Sequence, residues 1–311
     1  MLVAGPNLTI DRTSSIAELR PGEVLRVADV EVTPGGKGVN VARAARALGV
    51  PATLVAFVPG HTGRAAAELI AAEGISFDGV PVGGEIRSTS VILEPSGRAT
   101  VLNEPGPALA EGDWAALEAA VERALGDHRV LVCSGSLPPG SPDDGYARLA
   151  RGRLAVVDAD GAVLGAALEA GPAVVTPNLA EAEGLLYGRA DESVEASADA
   201  RGHAEEAASA LVHAGARAAV VTAAAAGAAV CADGAVTWLA APRASVVNPI
   251  GAGDVFAAAL AGALEAGEDV PSAARRGVAA AAAAVESPVA GELDPARMHE
   301  FLAAGTSTPA G

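Results

Sequence analysis

Aromatic side chains make up 3% of this chain, and cysteine occurs only twice, as Cys133 and Cys231. Each cysteine stands within an apolar run. Neither a disulfide framework nor a zinc site of spaced cysteines is available, and a reducing, cytoplasmic setting is expected. Basic residues are few as well: 21 Lys and Arg face 38 Asp and Glu, a formal net charge of -17. Such a balance repels nucleic acid and anionic membrane surfaces as partners, and an anionic small substrate would need a local basic clamp. Long apolar runs are missing. Residues 47–63 and 218–232 are uncharged but broken by Gly, Pro or polar side chains, short of the roughly 20 apolar residues of a spanning helix. The start, MLVAGPNLTIDR, lacks a basic leader and a long apolar stretch, so no secretion signal is expected. A GxxxxGK[ST] loop is absent and no GxGxxG follows a strand-like run, which leaves out P-loop and dinucleotide-binding designs.

What is present is 311 residues, 50% of them hydrophobic, enough for one large α/β domain or two ordinary ones. Strand-like and helix-like runs alternate: LVAGPNLTI, then 39–48 as helix, ATLVAFV, then 63–72 as helix. The rhythm resumes with 114–125 as helix and VLVCSG, LAVVDA, AVVTPN and ARAAVVTA as strands. Alternation of this kind predicts βαβ units around a buried, mainly parallel sheet. Two stretches break it, EVLRVADVEVT and STSVILEPSGRATVLN, the second with a PSG turn between alternating runs. Both predict antiparallel pieces, placed together as a small lid over about 12–34 and 85–105. No linker divides the chain, so a single domain over 1–311 is expected, with the tail after Phe301 frayed.

The most specific segment is VVNPIGAGDVFAAALAGAL, at 246–264, in which an apolar run, expected as a strand, leads through a Pro-containing turn into a long apolar helix. Gly251 and Gly253 allow the backbone N–H groups of Gly251, Ala252 and Gly253 to converge, and the helix start adds partial positive charge, so an anion can be held there. Asp254 stands beside that hole, where a carboxylate can take the proton of an attacking alcohol. The same four residues would serve equally as a strand-to-helix turn with Asp as a cap. A second segment, TPGGKGVNVARAARALG at 33–49, sets adjacent glycines before a Lys, an Asn and an amphipathic helix. Bare backbone at Gly35 and Gly36 would let a sugar approach closely. Lys37 supplies a point charge for phosphate and Asn40 both a donor and an acceptor for hydroxyls, while a purely structural turn remains open.

Together the two segments resemble the signatures of the PfkB-type, ribokinase-like carbohydrate kinases, in order and in spacing. GPNLTIDRT, LNEPGP and SGSLPPG extend the likeness over nearly the whole chain, toward the branch of 1-phosphofructokinase and tagatose-6-phosphate kinase. The resemblance implies a three-layer α/β/α core with a small β lid over the sugar, and often a homodimer made through the lids. It implies ATP as co-substrate, Mg²⁺, and Asp254 as catalytic base beside the anion hole. By similarity Asp11 would hold sugar hydroxyls and Arg87 the phosphate already on the substrate, with Ser134 and Asn103 as further substrate-side residues. Asn178 and Glu181, in TPNLAEAE, would organise Mg²⁺ through water. Thr222 and Gly227 would form the nucleotide loop, with Asn248 and Gly251 beside it.

The chain departs from the family pattern in four places, one of them Thr176, where a Lys usually precedes PN. Asn248, Pro249 and Ile250 replace the usual Asp and Thr before GAGD. The nucleotide loop reads Thr222, Ala223, Ala224, Ala225, Ala226, Gly227, with one glycine missing. Ser88 replaces an Asn that often follows the phosphate Arg. If Ala224 needs positive φ it costs about 1 kcal/mol. The expected activity is phosphorylation of a ketohexose phosphate, such as fructose 1-phosphate, tagatose 6-phosphate or fructose 6-phosphate, on a primary hydroxyl. The alternatives are a kinase of an unphosphorylated sugar or nucleoside, and a sugar-phosphate-binding regulator without catalysis.

Overall fold

The computed structural model describes residues 1–305 apart from 97, 127 and 190; the tail expected to fray lies largely outside the described residues. The apolar runs become strands of one nine-stranded sheet: β1 (Leu2–Ala4), β4 (Thr53–Pro59), β5 (Ser76–Val82), β8 (Val130–Ser134), β9 (Leu154–Asp158), β10 (Val174–Val175), β11 (Ala218–Ala223), β12 (Gly227–Ala232) and β13 (Ala235–Ala240). Their spatial order is β13-β12-β11-β10-β9-β8-β1-β4-β5. Every pairing from β5 to β11 is parallel, and β12 and β13 add an antiparallel edge. Along each strand alternate residues feed two separate cores, since successive side chains point to opposite faces. Val3, Leu54, Ala56, Val130, Val132 and Val220 join one core. Leu2, Ala4, Val55, Phe57, Leu131 and Val221 join the other.

Helices cover both faces and complete the three layers. On the first face lie α1 (Lys37–Ala47), α8 (Ala252–Glu265), α9 (Val270–Ala284) and α10 (Pro295–Gly305). On the second face lie α3 (Asp113–Leu125), α5 (Gly161–Glu169), α6 (Leu179–Tyr187) and α7 (Ala200–His213). Helix α8 is buried continuously from Asp254 to Leu264, and its run of alanines lets α9 approach closely. Asp269 caps α9 by accepting from the Ser272 N–H, with a proline in the first turn. Among the described residues no helix is long and apolar enough to cross a membrane.

A second sheet of four strands, β2 (Thr9–Ser15), β3 (Val30–Gly35), β6 (Arg87–Leu93) and β7 (Ala99–Asn103), has the order β3-β2-β6-β7. Several elements differ from the sequence expectation. LVAGPNLTI is two strands in different sheets, broken at the buried Gly5–Pro6–Asn7 segment that passes from one sheet to the other. EVLRVADVEVT is extended only from Val30; in its first half Val24 and Val27 stay exposed. AVVTPN pairs fully only at Val174 and Val175. The run before GAGD is not a strand: Val246 and Val247 are exposed and the chain from 241 to 250 is irregular.

Candidate active site

The site forms at the carboxyl edge of the parallel strands, where α/β sheets gather ligands. The positive φ of Gly251 (82°) turns the chain into α8 and places Asp254 in its first turn, 5% exposed. Of the three amides expected to converge there, the Ala252 N–H is turned back toward the Pro249 carbonyl at 3.4 Å. The Gly253 backbone is open, with no atom within 4 Å of where a Cβ would stand. Asn40 Nδ2 donates to Asp254 Oδ2 at 2.7 Å. Burial pushes the Asp254 carboxyl up to about 7; the Lys37 ammonium and the Asn40 hydrogen bond oppose the rise, and Asp158 and Glu181 add to it.

Lys37, first in α1, turns its ammonium toward carboxylates: Asp158 Oδ2 at 3.3 Å and Glu181 Oε1 at 3.8 Å. The charge of Asp158 holds the ammonium far above its ordinary range, against the effect of burial, with Glu181 and Asp254 contributing. The Lys37 stem lies along Gly135, where a Cβ would come within 3.3 Å of it. Ser134 Oγ donates to Asp158 Oδ2 at 3.1 Å. Asp158 was not singled out in the sequence. An Asp at the carboxyl end of a buried parallel strand, in LAVVDA, was the signal that could have found it.

Asn178 and Glu181 form a capping box at the start of α6: Asn178 Oδ1 accepts from the Glu181 N–H at 2.8 Å, and Glu181 Oε2 accepts from the Asn178 N–H at 2.9 Å. Oε1 of Glu181 is left toward Lys37. Burial raises the Glu181 carboxyl, with Lys37 pulling the other way. No group of three or more His, Cys, Asp or Glu among the described residues is placed to hold a metal ion. An all-protein cage is therefore not built. One or two carboxylates with waters and phosphate oxygens suit Mg²⁺, and Glu181 fits that mode.

On the second sheet, strand register aligns Thr33, Asp11, Thr89 and Asn103 in one row, and Gly35, Thr9 and Arg87 in the row two residues away. Asp11 Oδ1 is buried without a hydrogen-bond partner. Burial raises the Asp11 carboxyl, opposed by the hydroxyls of Thr89 and Thr9 and by the charges of Arg87 and Arg43. Thr89 Oγ1 donates to Asn103 Oδ1 at 3.1 Å. Bare backbone at Gly35 and Gly36 is where a sugar is expected to approach, and the side of each that a Cβ would occupy is taken by protein. A Cβ on Gly35 would stand 2.0 Å from Asp11 Oδ2, and one on Gly36, at φ 101°, would meet the Asn7 carbonyl at 3.0 Å. Gly35 therefore admits the Asp11 carboxylate. Arg87 Nη2 donates to the Asn7 carbonyl at 3.1 Å, and a longer contact of 3.5 Å runs from Nη1 to the Glu104 carbonyl.

Beside Ala252 and Gly253 opens a cavity of about 760 Å³, lined by Asn178, Thr222, Gly227, Arg243, Phe256 and Val278 among others. Its walls are largely apolar, as a nucleobase pocket requires. Ala224 stands in this loop at φ 44°, so the position where the family pattern has glycine does adopt a left-handed backbone here. Gly227, at φ 136°, has no room for a side chain, since a Cβ would meet the Leu239 carbonyl at 2.1 Å. Asn248 is a half-buried loop residue: its amide donates to the Pro288 carbonyl at 2.9 Å and its Oδ1 accepts from the Ile250 N–H at 3.0 Å. Arg243 lies outside any motif, and Phe256, inside the 246–264 segment, reads in the sequence only as part of the long apolar helix.

A helix start open to anions, a buried carboxylate beside it, an apolar cavity on one side and a polar β sheet on the other define a group-transfer site acting on a small polar substrate. Residues 7–297 match the model of the pfkB family carbohydrate kinases. The chain is 34% identical over 290 residues to a 1-phosphofructokinase of Haloferax volcanii, covering 92% of this chain and 90% of that protein. Phosphofructokinase-2 of Escherichia coli, solved with potassium, superposes with a TM-score of 0.88 at 27% identity, over 98% of this chain and 99% of that one. A ribokinase of Thermotoga maritima shares the fold with a TM-score of 0.74 at 22% identity, over 97% of this chain and 98% of that one. The chain belongs to the pfkB family of carbohydrate kinases. It is a sugar-phosphorylating enzyme with ATP as co-substrate and a ribokinase-like α/β fold.

Proposed function

We propose that this kinase transfers the γ-phosphoryl group of ATP to the free primary hydroxyl of a ketohexose phosphate, with fructose 1-phosphate, tagatose 6-phosphate and fructose 6-phosphate as the candidates. The observation that carries the reading is Asp254: a carboxylate at the mouth of a helix N-terminus, buried, and held by Asn40 at 2.7 Å. Phosphoryl transfer asks mainly for positioning and for stabilised charge. Asp254 takes the proton of the sugar hydroxyl, and the amides of Gly251 and Gly253 receive the migrating phosphoryl oxygens, the Ala252 N–H being turned toward Pro249. Lys37, ringed by Asp158, Glu181 and Asp254, lies close enough to the base to neutralise charge on the transferred group. Its pairing with carboxylates favours that role over the grip on the resident sugar phosphate.

Arg87 is the candidate grip for that phosphate. Its present bonds run to neutral carbonyls, one of them long, and a phosphate dianion offers a stronger acceptor. The unpartnered Asp11 Oδ1, with Asn103 beyond Thr89, supplies acceptors for sugar hydroxyls. ATP binds with its base in the cavity lined by Thr222, Gly227 and Phe256. Mg²⁺, held through Glu181 and Asn178 by way of water, neutralises phosphate charge when bound. Val24 (87% exposed) and Leu102 (60%), with Val32 and Val101, leave apolar surface in the segments that build the small sheet, which supports a homodimer formed through it. Two free, buried cysteines suit a reducing, cytoplasmic setting.

Coupled measurement of ADP release on the three sugar phosphates and on their unphosphorylated sugars tests the substrate class. Turnover of at least one phosphate, well above that of the plain sugars, is expected. Equal turnover of a plain sugar or a nucleoside would transfer the assignment to that class.

A further inference from the structure

Arg43 is the most completely bonded side chain near the site, and nothing in the reaction as described uses it. Its guanidinium is almost fully buried, and five contacts engage its nitrogens. Nε and Nη2 form a fork onto the Glu73 carboxylate at 2.7 and 2.8 Å. Nη2 also donates to the Pro34 carbonyl at 2.8 Å, where β3 of the small sheet runs into the glycine turn. Nη1 donates to the Ala290 carbonyl at 2.7 Å and to Asn40 Oδ1 at 3.0 Å. A guanidinium has five N–H donors in one plane, so these contacts use its whole donor set.

The last contact bears on the chemistry. A side-chain amide can present either its oxygen or its NH₂ group to a given partner. Only the NH₂ group can donate to Asp254, and Arg43 occupies the oxygen. The flipped amide would set an oxygen against a carboxylate and an NH₂ group against a guanidinium, both repulsive. The loop that Arg43 clamps at Ala290 is itself packed into the site. A Cβ on Gly291 would stand 2.7 Å from the Asn40 Cα, and one on Gly251 would stand 2.9 Å from the Gly291 nitrogen.

We infer that Arg43 is a positioning residue for phosphoryl transfer, fixing the Asn40 amide so that its NH₂ group orients the Asp254 carboxylate, while Glu73, Pro34 and Ala290 hold the guanidinium in place. This inference rests on the reading of Asp254 as the base. A misplaced reacting group costs on the order of 10²-fold in rate, and Arg43 acts on turnover through that route.

The test is a double-mutant cycle on the full-length enzyme, with kcat and KM measured for ATP and for the preferred sugar phosphate and with the folded fraction fixed by circular dichroism. Arg43→Lys keeps the charge and loses the planar fork. It is expected to lower kcat by about 10- to 100-fold, with the KM for ATP changed less than about twofold, because Arg43 lies outside the nucleotide cavity. In an Asn40→Ala background, where no amide remains to orient, Arg43→Lys is expected to change kcat by less than about twofold. If the two losses multiply in full, Arg43 acts by another route and the inference fails. Should Arg43→Lys not fold, Glu73→Gln loosens the same fork; the same loss of kcat in the Asn40 background and in its absence again overturns the inference. Asp254→Asn separates the two ideas. Full activity in that variant removes the base itself, whereas its inactivity alongside a multiplicative cycle removes only the role of Arg43.

Discussion

Asn40 and Asp254 are 214 positions apart in the chain, and their side chains meet at 2.7 Å, the amide donating to the carboxylate. The bond ties the start of α1 to the start of α8. Asn40→Asp would set a second carboxyl against the first, and two like charges at this distance cannot both ionise without cost. The expected result is a fall in kcat of more than about tenfold at neutral pH, partly recovered as pH rises, read from pH profiles of the variant and the parent.

Burial holds the Asp254 carboxyl up at about 7, which makes the free enzyme's base half-protonated near neutrality. The value of kcat/KM should therefore rise with pH through a limb near 7. The same shift has a stability consequence of definite sign. An acid whose folded pKa is raised favours folding while protonated, and that contribution is lost as pH rises from its ordinary range through the folded value. Asp254→Asn, which cannot ionise, should gain stability relative to the parent as pH rises over that window. Paired thermal melts across pH check it, and a melting temperature of the variant that falls relative to the parent with rising pH contradicts the assignment.

Ala224 occupies a left-handed backbone position at φ 44° in the nucleotide loop. Glycine there avoids a Cβ clash of about 1 to 2 kcal/mol and gives back part of it through the entropy of the unfolded chain. Ala224→Gly should raise the melting temperature slightly and lower the KM for ATP. A rise in that KM would show that the alanine is an adaptation of the pocket.

Gly35 is bare because the Asp11 carboxylate sits where a Cβ would stand, 2.0 Å from Oδ2. Gly35→Ala should cost about 1 to 3 kcal/mol in stability and raise the KM for the sugar substrate, since Asp11 must move. Melting curves together with sugar titrations measure both. A variant with parent-like stability and KM would refute the close approach.

Arg87→Ala removes the proposed phosphate grip. The KM for the sugar phosphate should rise about tenfold or more, from the loss of charge-assisted hydrogen bonds, with little change for ATP. An unchanged KM would favour an unphosphorylated acceptor.

Much of this was legible in the chain itself. GAGD ahead of a long apolar run announced the helix start, while Asp254 read equally well there as a base or as a cap. The helix at Lys37 and the antiparallel pair closing on Asn103 were legible from period and turn chemistry. Tertiary partnership was not. Arg43 reads as one more charge on an amphipathic helix, and only the arrival of Glu73, Pro34 and Ala290 buries it. That Gly35 also makes way for a carboxylate follows only from the register of β2 on β3, which brings Asp11 against it. Val246 and Val247 have strand composition, yet no neighbouring strand reaches them, so they stay irregular and exposed.

The most direct test of the phosphoryl-transfer account is the turnover number of Asp254→Asn at saturating ATP and sugar phosphate, with calorimetry confirming that both still bind. Loss of about 10²- to 10⁴-fold in kcat with binding intact is the predicted result. Retention of most of the turnover would contradict it.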